Sequence, residues 1–165
     1  MKDLTKVNKR AMTEEQLQET IQDWAEGLEF SSEESQFLNI TVPANELHNL
    51  MSRLKSDPNT LFDYLFCQSG VDWEKTLSVV YHLESTTFRH QLVVKVHTED
   101  RKKPVFDTVS DIWATAEFHE REIFDLFGIT FNNHPNMKHL ILTEDGWDGH
   151  PLRKDYVDEL NMVIK

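Results

Sequence analysis

The sequence has few of the residues that build covalent, phosphate-binding or membrane-spanning sites. One cysteine, Cys67, stands among 165 residues. A single thiol excludes an internal disulfide. It also excludes a four-cysteine zinc or iron–sulfur site, which needs several closely spaced thiolates. The five glycines (Gly27, Gly70, Gly128, Gly146, Gly149) form neither G-x-G-x-x-G nor a P-loop. The tight backbone cradles for dinucleotides and nucleoside triphosphates are therefore missing. No run approaches the ~18 consecutive apolar residues of a membrane span. Positive charge is scarce: 17 Lys and Arg stand against 29 Asp and Glu, a net charge of −12. Phosphate would be repelled, so general nucleic-acid binding is disfavoured. The basic segment Met1–Ala11 lacks the apolar stretch of a secretory signal, and Glu14 and Glu15 follow at once. A lone cysteine without a secretory signal points to a reducing, cytoplasmic compartment.

What is present suits one globular domain, with 39 % hydrophobic and 28 % charged residues. Residues 1–35 read as an N-terminal extension whose charge switches from basic to acidic near Thr13. Thr13 and Gln16 fit a capping box, and Leu17, Ile21, Trp24, Ala25 and Leu28 follow at helical spacing up to a stop at Gly27. Such a stripe docks either on its own domain or on a partner chain. Residues 36–131 read as an α+β core. Leu38, Ile40 and Val42 alternate as a strand. Leu47, Leu50, Met51 and Leu54 share a helix face after Pro43. Asp57-Pro58 reads as the start of a further helix with Leu61, Phe62, Leu65 and Phe66 inward and Cys67 in the core. Two strands, Leu77–Glu84 and Gln91–His97, make a hairpin, and Arg101-Lys102-Lys103 reads as a solvated basic turn. The stretch Ser110–Phe127 is helical, and residues 132–165 are irregular and rich in His, Pro, Asn and Gly. The expected fold is a two-layer α+β sandwich: helices on one face of a mostly antiparallel sheet, with an irregular C-terminal extension.

The helix ending at Phe127 carries the most informative residues. His119-Glu120-Arg121-Glu122-Ile123 is not a zinc-protease motif, because that chemistry needs a second His where Ile123 stands. At 100° per residue, Glu120 falls inside the apolar arc of Ala116, Ile123, Phe124 and Phe127. A carboxylate there must be paired, protonated or turned to an interface. Its partner is an Arg or backbone N–H groups of this chain, or a cation of another subunit. Glu117, Arg121 and Asp125 follow one another at i, i+4 and i+8, as a solvated salt-bridge ladder would. His119, His134, His139 and His150, with Asp145, Asp148 and Asp155, invite a zinc reading. However, His134 and His150 each precede Pro, and no pair has ligand spacing. The loop Trp147–Tyr156 gathers Trp, His, Arg and Tyr, the residue types that anchor protein interfaces.

Glu120-Arg121-Glu122-Ile123-Phe124-Asp125-Leu126-Phe127-Gly128-Ile129, followed by Phe131 and His134-Pro135, resembles the signature of the 30-kDa subunit family of respiratory complex I, in bacteria the C subunit of NADH-quinone oxidoreductase. Gly149–Tyr156, G-H-P-L-R-K-D-Y, is similar to the family's second landmark. Val109–Trp113 and Leu92–Val96 also look like the family. Asn133 stands where Gly is common, Ala114 where Pro is frequent, and Lys138-His139 where a basic pair is usually Arg-rich. The resemblance implies a structural subunit of the hydrophilic arm of a proton-translocating complex, needed for assembly and for positioning the electron-transfer subunits. It implies no active site and no cofactor in this chain, with FMN and iron–sulfur clusters held by partners. Expected partners are the 49-kDa (D) subunit and neighbouring iron–sulfur subunits, and no nucleic acid. Membrane contact would come only through partners, at the cytoplasmic face of the bacterial inner membrane. Candidate interface residues are Glu120, Arg121, Glu122, Asp125, His134, Pro135, Trp147, His150, Pro151, Leu152, Arg153, Lys154, Asp155 and Tyr156. The alternatives are the equivalent subunit of a membrane-bound hydrogenase-like complex and a stand-alone metal-dependent hydrolase using the C-terminal His and Asp residues.

Overall fold

The computed structural model describes residues 11–31, 35–142 and 147–158. The basic segment 1–10, Asp145 and residues 159–165 lie outside the described residues. Helix α1 (Glu14–Ile21) starts at the expected capping box, in which Thr13 accepts from the Gln16 N–H while Gln16 accepts from the Thr13 N–H. It is shorter than the apolar spacing suggests. After Ile21 the chain turns, and Trp24, Ala25 and Leu28 reach the core from that turn rather than from a helix face. Gly27 serves this turn with φ +72°. Leu17 and Ile21 are fully buried in the core of the same domain. The Arg53 guanidinium covers the Trp24 ring at 4.2 Å.

Five strands form the main sheet: β1 (Glu29–Phe30), β2 (Leu38–Thr41), β3 (Tyr64–Asp72), β4 (Leu77–Glu84) and β5 (Gln91–Thr98). Their order is β1-β2-β5-β4-β3, with only β2 and β5 parallel. The fold is thus α+β on a mostly antiparallel sheet. The alternation read in the two central strands is the register itself, since Val79, Tyr81 and Leu83 face Val96, Val94 and Leu92. Helix α2 (Leu47–Ser56) buries Leu47, Leu50, Met51 and Leu54 against them. Strands β6 (Val105–Asp107) and β7 (Thr130–Asn132) form a separate parallel pair on either side of α3 (Ala116–Phe127) in sequence. No described helix is long and apolar enough to cross a membrane.

The expected helix after Asp57 is strand β3. Asp57 instead ends α2 in an extended conformation, and its carboxylate accepts from the Asn59 N–H. Pro58 then prevents continuation, as prolines after helix ends do. A β-bulge between Leu65 and Cys67 inserts a residue into the strand. That insertion breaks the period of two and spaces the apolar residues as a helix would. Cys67 is consequently a half-buried residue of an edge strand, not a core residue of a helix. Similarly, only Ala116–Phe127 of the stretch from Ser110 is helical. Ser110–Thr115 turns, tucking Trp113 inward to donate from Nε1 to the Phe62 carbonyl.

Docking of α1 on its own domain predicts that Ile21→Ala lowers the stability of the isolated chain by about 2–5 kcal/mol, the usual cost of a buried Ile→Ala cavity. Urea unfolding measures it. A change within ~0.5 kcal/mol would mean that α1 contributes only when a partner is present.

Candidate functional site: helix α3 and the segments that close over it

Glu120 lies on the buried face of α3 and is fully inaccessible. Its donors are local. The Val109 N–H reaches Oε1 at 2.8 Å, and the Thr108 hydroxyl donates to Oε2. Gln68 reaches toward the carboxylate from β3 without closing a hydrogen bond to it. His134 Nε2 stands 3.8 Å away, but its proton is directed at the Glu117 carbonyl at 3.0 Å, and Nδ1 accepts from Asn136. Glu120 therefore has no close cation among the described residues. Burial raises its pKa to about 7, against the pull of Thr108 and Val109.

The solvated ladder expected of Glu117, Arg121 and Asp125 does not form. Arg121 is buried and donates to the carbonyls of Lys138 (3.0 Å) and His139 (2.8 Å). Asp125 is fully buried and accepts from His139 Nδ1 (2.6 Å) and from the Leu140, Ile141 and Leu142 N–H groups at 2.8, 2.7 and 3.1 Å. Burial works against the Asp125 anion, yet the three backbone donors and His139 leave its pKa below the usual value. The physical reason for the correction is the segment 138–142. It covers this face of α3, so Arg121 supplies donors and Asp125 acceptors to one incoming backbone.

A second segment closes the end of the helix. The last four carbonyls of an α-helix lack intrahelical partners. Here Phe124 receives the Gly128 N–H, Asp125 the His150 Nδ1, Leu126 the Leu152 N–H and Phe127 the Arg153 Nε. The Arg153 charge also complements the negative end of the helix dipole. Gly128 adopts φ +67°, and a β-carbon there would sit 2.3 Å from His150 Nε2. Two requirements thus coincide at one glycine, the left-handed cap and room for an imidazole.

The same loop is tied to the sheet. Arg101 clasps Asp72 through both nitrogens (2.6 and 2.9 Å) and reaches Asp155 at 3.1 Å. Asp72 also accepts from the Lys154 and Glu74 N–H groups, while Arg153 donates to the Arg101 carbonyl. The Arg101 guanidinium and these N–H groups hold the Asp72 carboxyl far below the ordinary carboxylate range. Arg101 is consequently a structural anchor rather than part of a solvated basic turn. Neither Asp72 nor Arg101 was legible as a site residue. Their contacts cross 29 and 82 positions of sequence, and no local spacing encodes them.

Of the interface candidates, Glu120, Arg121 and Asp125 are engaged inside this chain and have no surface to offer a partner. His134 has a buried side chain, while His150, Pro151, Arg153 and Tyr156 are half-buried. Glu122, Pro135, Trp147, Leu152, Lys154 and Asp155 are exposed. His134, His139 and His150 each bond to a different internal acceptor, and among the described residues no three potential ligands gather as a metal site.

The family model and the named relatives agree on one family. The family model described as "Respiratory-chain NADH dehydrogenase, 30 Kd subunit" matches residues 40–160. The combined C/D subunit of NADH-quinone oxidoreductase from Phocaeicola vulgatus is 48 % identical over 123 residues, 74 % of this chain and 23 % of that protein. The C subunit of the Chloroherpeton thalassium oxidoreductase is 46 % identical over 115 residues, 68 % of this chain and 47 % of that one. The C subunit from Roseiflexus castenholzii is 38 % identical over 128 residues, covering 76 % and 72 %. The chain therefore spans under a quarter of the C/D protein and under half of the Chloroherpeton one. Among solved structures, a chain of the membrane-bound sulfane sulfur reductase, described as an archaeal respiratory membrane complex, superposes with a TM-score of 0.71 at 27 % identity. It covers 88 % of this chain and 86 % of that chain.

Two outcomes are expected. Because the folded pKa of Glu120 is raised from 4.5 to about 7, the folded state holds its proton more tightly than the unfolded state. Its stabilising contribution is full below about pH 4.5 and lost as pH rises through about 7, a fall of at most about 3 kcal/mol. His82 and His90, whose pKa values burial lowers, act in the opposite sense. Subtracting the stability curve of Glu120→Gln from that of the wild type isolates Glu120, and the difference should decline between pH 4.5 and 7.5. A flat difference curve contradicts the buried, unpaired carboxylate. Asp125→Ala should cost roughly 2–4 kcal/mol in urea unfolding, because three backbone N–H groups lose their acceptor. A cost below ~0.5 kcal/mol would show that segment 138–142 is held by something else.

Proposed function

This chain belongs to the family of the 30-kDa subunit of respiratory-chain NADH dehydrogenase, and from that premise we propose that it is a cofactor-free positioning subunit in the hydrophilic arm of a proton-translocating NADH-quinone oxidoreductase. Relatives are named as the C subunit of NADH-quinone oxidoreductase, a respiratory complex. The observation behind the positional role is that both sequence landmarks build one object. Glu120–Ile129 supplies α3 and its terminus, and Gly149–Tyr156 supplies the groups that close that terminus. Their internal bonds hold a relief whose exposed points are Glu122, Leu152, Lys154 and Asp155. Surfaces of aliphatic and charged side chains held on rigid supports suit permanent subunit contacts.

In this reading the partners are the 49-kDa (D) subunit and the neighbouring iron–sulfur subunits. The relatives named C/D, in which both designations belong to one chain, support a D partner. FMN and the iron–sulfur clusters belong to the partners, and this chain contributes by keeping them at fixed separations. The complex sits peripherally at the cytoplasmic face, reaching the membrane through other subunits. A second reading, the same subunit type in a hydrogenase-like complex with a different electron donor, draws on the likeness to the sulfane sulfur reductase chain. The higher identity to the quinone-reducing relatives favours the first.

Affinity purification of the tagged chain from detergent-solubilised membranes tests the proposal. The 49-kDa subunit, iron–sulfur subunits and NADH:quinone activity should co-purify, and the chain purified alone should contain no stoichiometric iron, zinc or flavin. A chain that elutes alone, or that retains stoichiometric metal or flavin by elemental and absorbance analysis, contradicts it.

A further inference from the structure

Strand β3 is the outer strand of the main sheet, and among the described residues its second edge pairs with no other strand. Unpaired edges of this length are normally shortened, bulged, kinked with Pro or guarded by Lys, since they invite another chain to add on. Tyr64–Asp72 contains neither Pro nor Lys, and its bulge at Leu65/Cys67 leaves the Cys67–Gly70 stretch in regular register with β4. Its two ends are covered from within the chain. Near one end the Thr115 hydroxyl donates to the Leu65 carbonyl, and at the other the Lys154 N–H donates to Asp72. Between these covers, Cys67–Gly70 border a slot of about 320 Å³ whose opposite wall is α3. Ile123, Leu126, Phe127 and Leu152 give it an apolar floor, with His119 and Glu122 at the rim. Leu152, 53 % exposed, is placed there by the loop that closes α3. Among the described residues no cation pairs with Glu122, on a chain of net charge −12.

We propose that this slot receives an extended segment of a neighbouring subunit, which adds to the free edge of β3 at Cys67–Gly70. One aliphatic or aromatic side chain of that segment packs over Ile123, Leu126 and Leu152, and a basic side chain pairs with Glu122. Edge-strand addition gains affinity from backbone hydrogen bonds and specificity from alternate side-chain pockets. The slot offers both elements, four residues of unpaired strand edge and one apolar pocket beside it. The unpaired rim carboxylate, on a chain of net charge −12, selects a basic occupant. This proposal rests on the subunit reading above.

Cys67, the only cysteine, lines the slot and serves as the probe. The purified complex and the isolated full chain are each treated with a maleimide, and hydrogen exchange is followed at Ser69 and Gly70. Labelling of Cys67 should slow at least about tenfold in the complex, and of these two adjacent amides the one that points away from β4 should be newly protected, as expected for a buried interface strand. A photo-crosslinker carried by Cys67 should join to a basic stretch of a neighbouring subunit. Glu122→Lys should lower incorporation into the complex about tenfold while the isolated variant unfolds at the wild-type urea concentration. Equal labelling in both states overturns the proposal. So does protection already present in the isolated chain and removed by truncation after Asp158, or protection that tracks homodimer formation; these assign the slot to residues 159–165 or to a second copy. Absence of the chain from any large complex removes the subunit reading itself, and the proposal with it.

Discussion

A carboxylate taken out of water needs donors on every side, and Asp125 obtains four of them from one incoming segment. The helix that carries it poses the complementary problem at its end, where four carbonyls need donors. A helix that stopped at Gly128 with solvent around it would satisfy these groups with water. Here protein groups do so instead, and segments 138–142 and 150–154 acquire a definite place. Segment 138–142 is positioned by Arg121 and Asp125, and segment 150–154 by the terminal carbonyls. Arg101 and Asp72 then lock the second segment to the sheet. The apolar side chains Leu140, Ile141 and Leu152 of these loops stay exposed, so hydrogen bonds, several of them charge-assisted, rather than core packing determine where the loops lie.

Glu120 presents the contrasting case. It is as buried as Asp125 but has only one backbone donor and one hydroxyl, with no cation close by. The two carboxylates lie five residues apart on one helix, and their pKa values move in opposite directions. The number of donors decides which way burial is resolved. Asp125 is built to be an anion. Glu120 is held close to neutrality, so it cannot anchor a loop as firmly and instead joins α3 to the turn after β6.

What the sequence made legible follows from what period and spacing can encode. The central strands were readable because an unbroken alternation faces a single core. The capping box of α1 was readable because both partners are local. Glu120 was readable as an anomaly, since a charge in an apolar arc conflicts with its neighbours, and backbone N–H groups were among its anticipated partners. Strand β3 was hidden by one inserted residue, which made a strand look helical. The covering of Glu117, Arg121 and Asp125 is not legible in the sequence, because helical spacing shows which residues share a face, not whether a later segment covers that face. Asp72 and Arg101 left no trace, because long-range ion pairs have no sequence period. The family resemblance reached further than the residue reading here. Its two landmarks are distant in sequence, yet in the fold one supplies the carbonyls and the other the donors that satisfy them.

The central claim is that the two C-terminal segments belong to the same cooperative unit as the sheet rather than lying loosely against it. Native-state hydrogen exchange measures this directly at the amides that carry the contacts, those of Leu140, Ile141, Leu142 and Leu152. The account predicts that they exchange with opening free energies close to those of β4 and β5 amides, and that all fall together in denaturant. Exchange at these four amides through small local openings, while β4 and β5 remain protected, would contradict it.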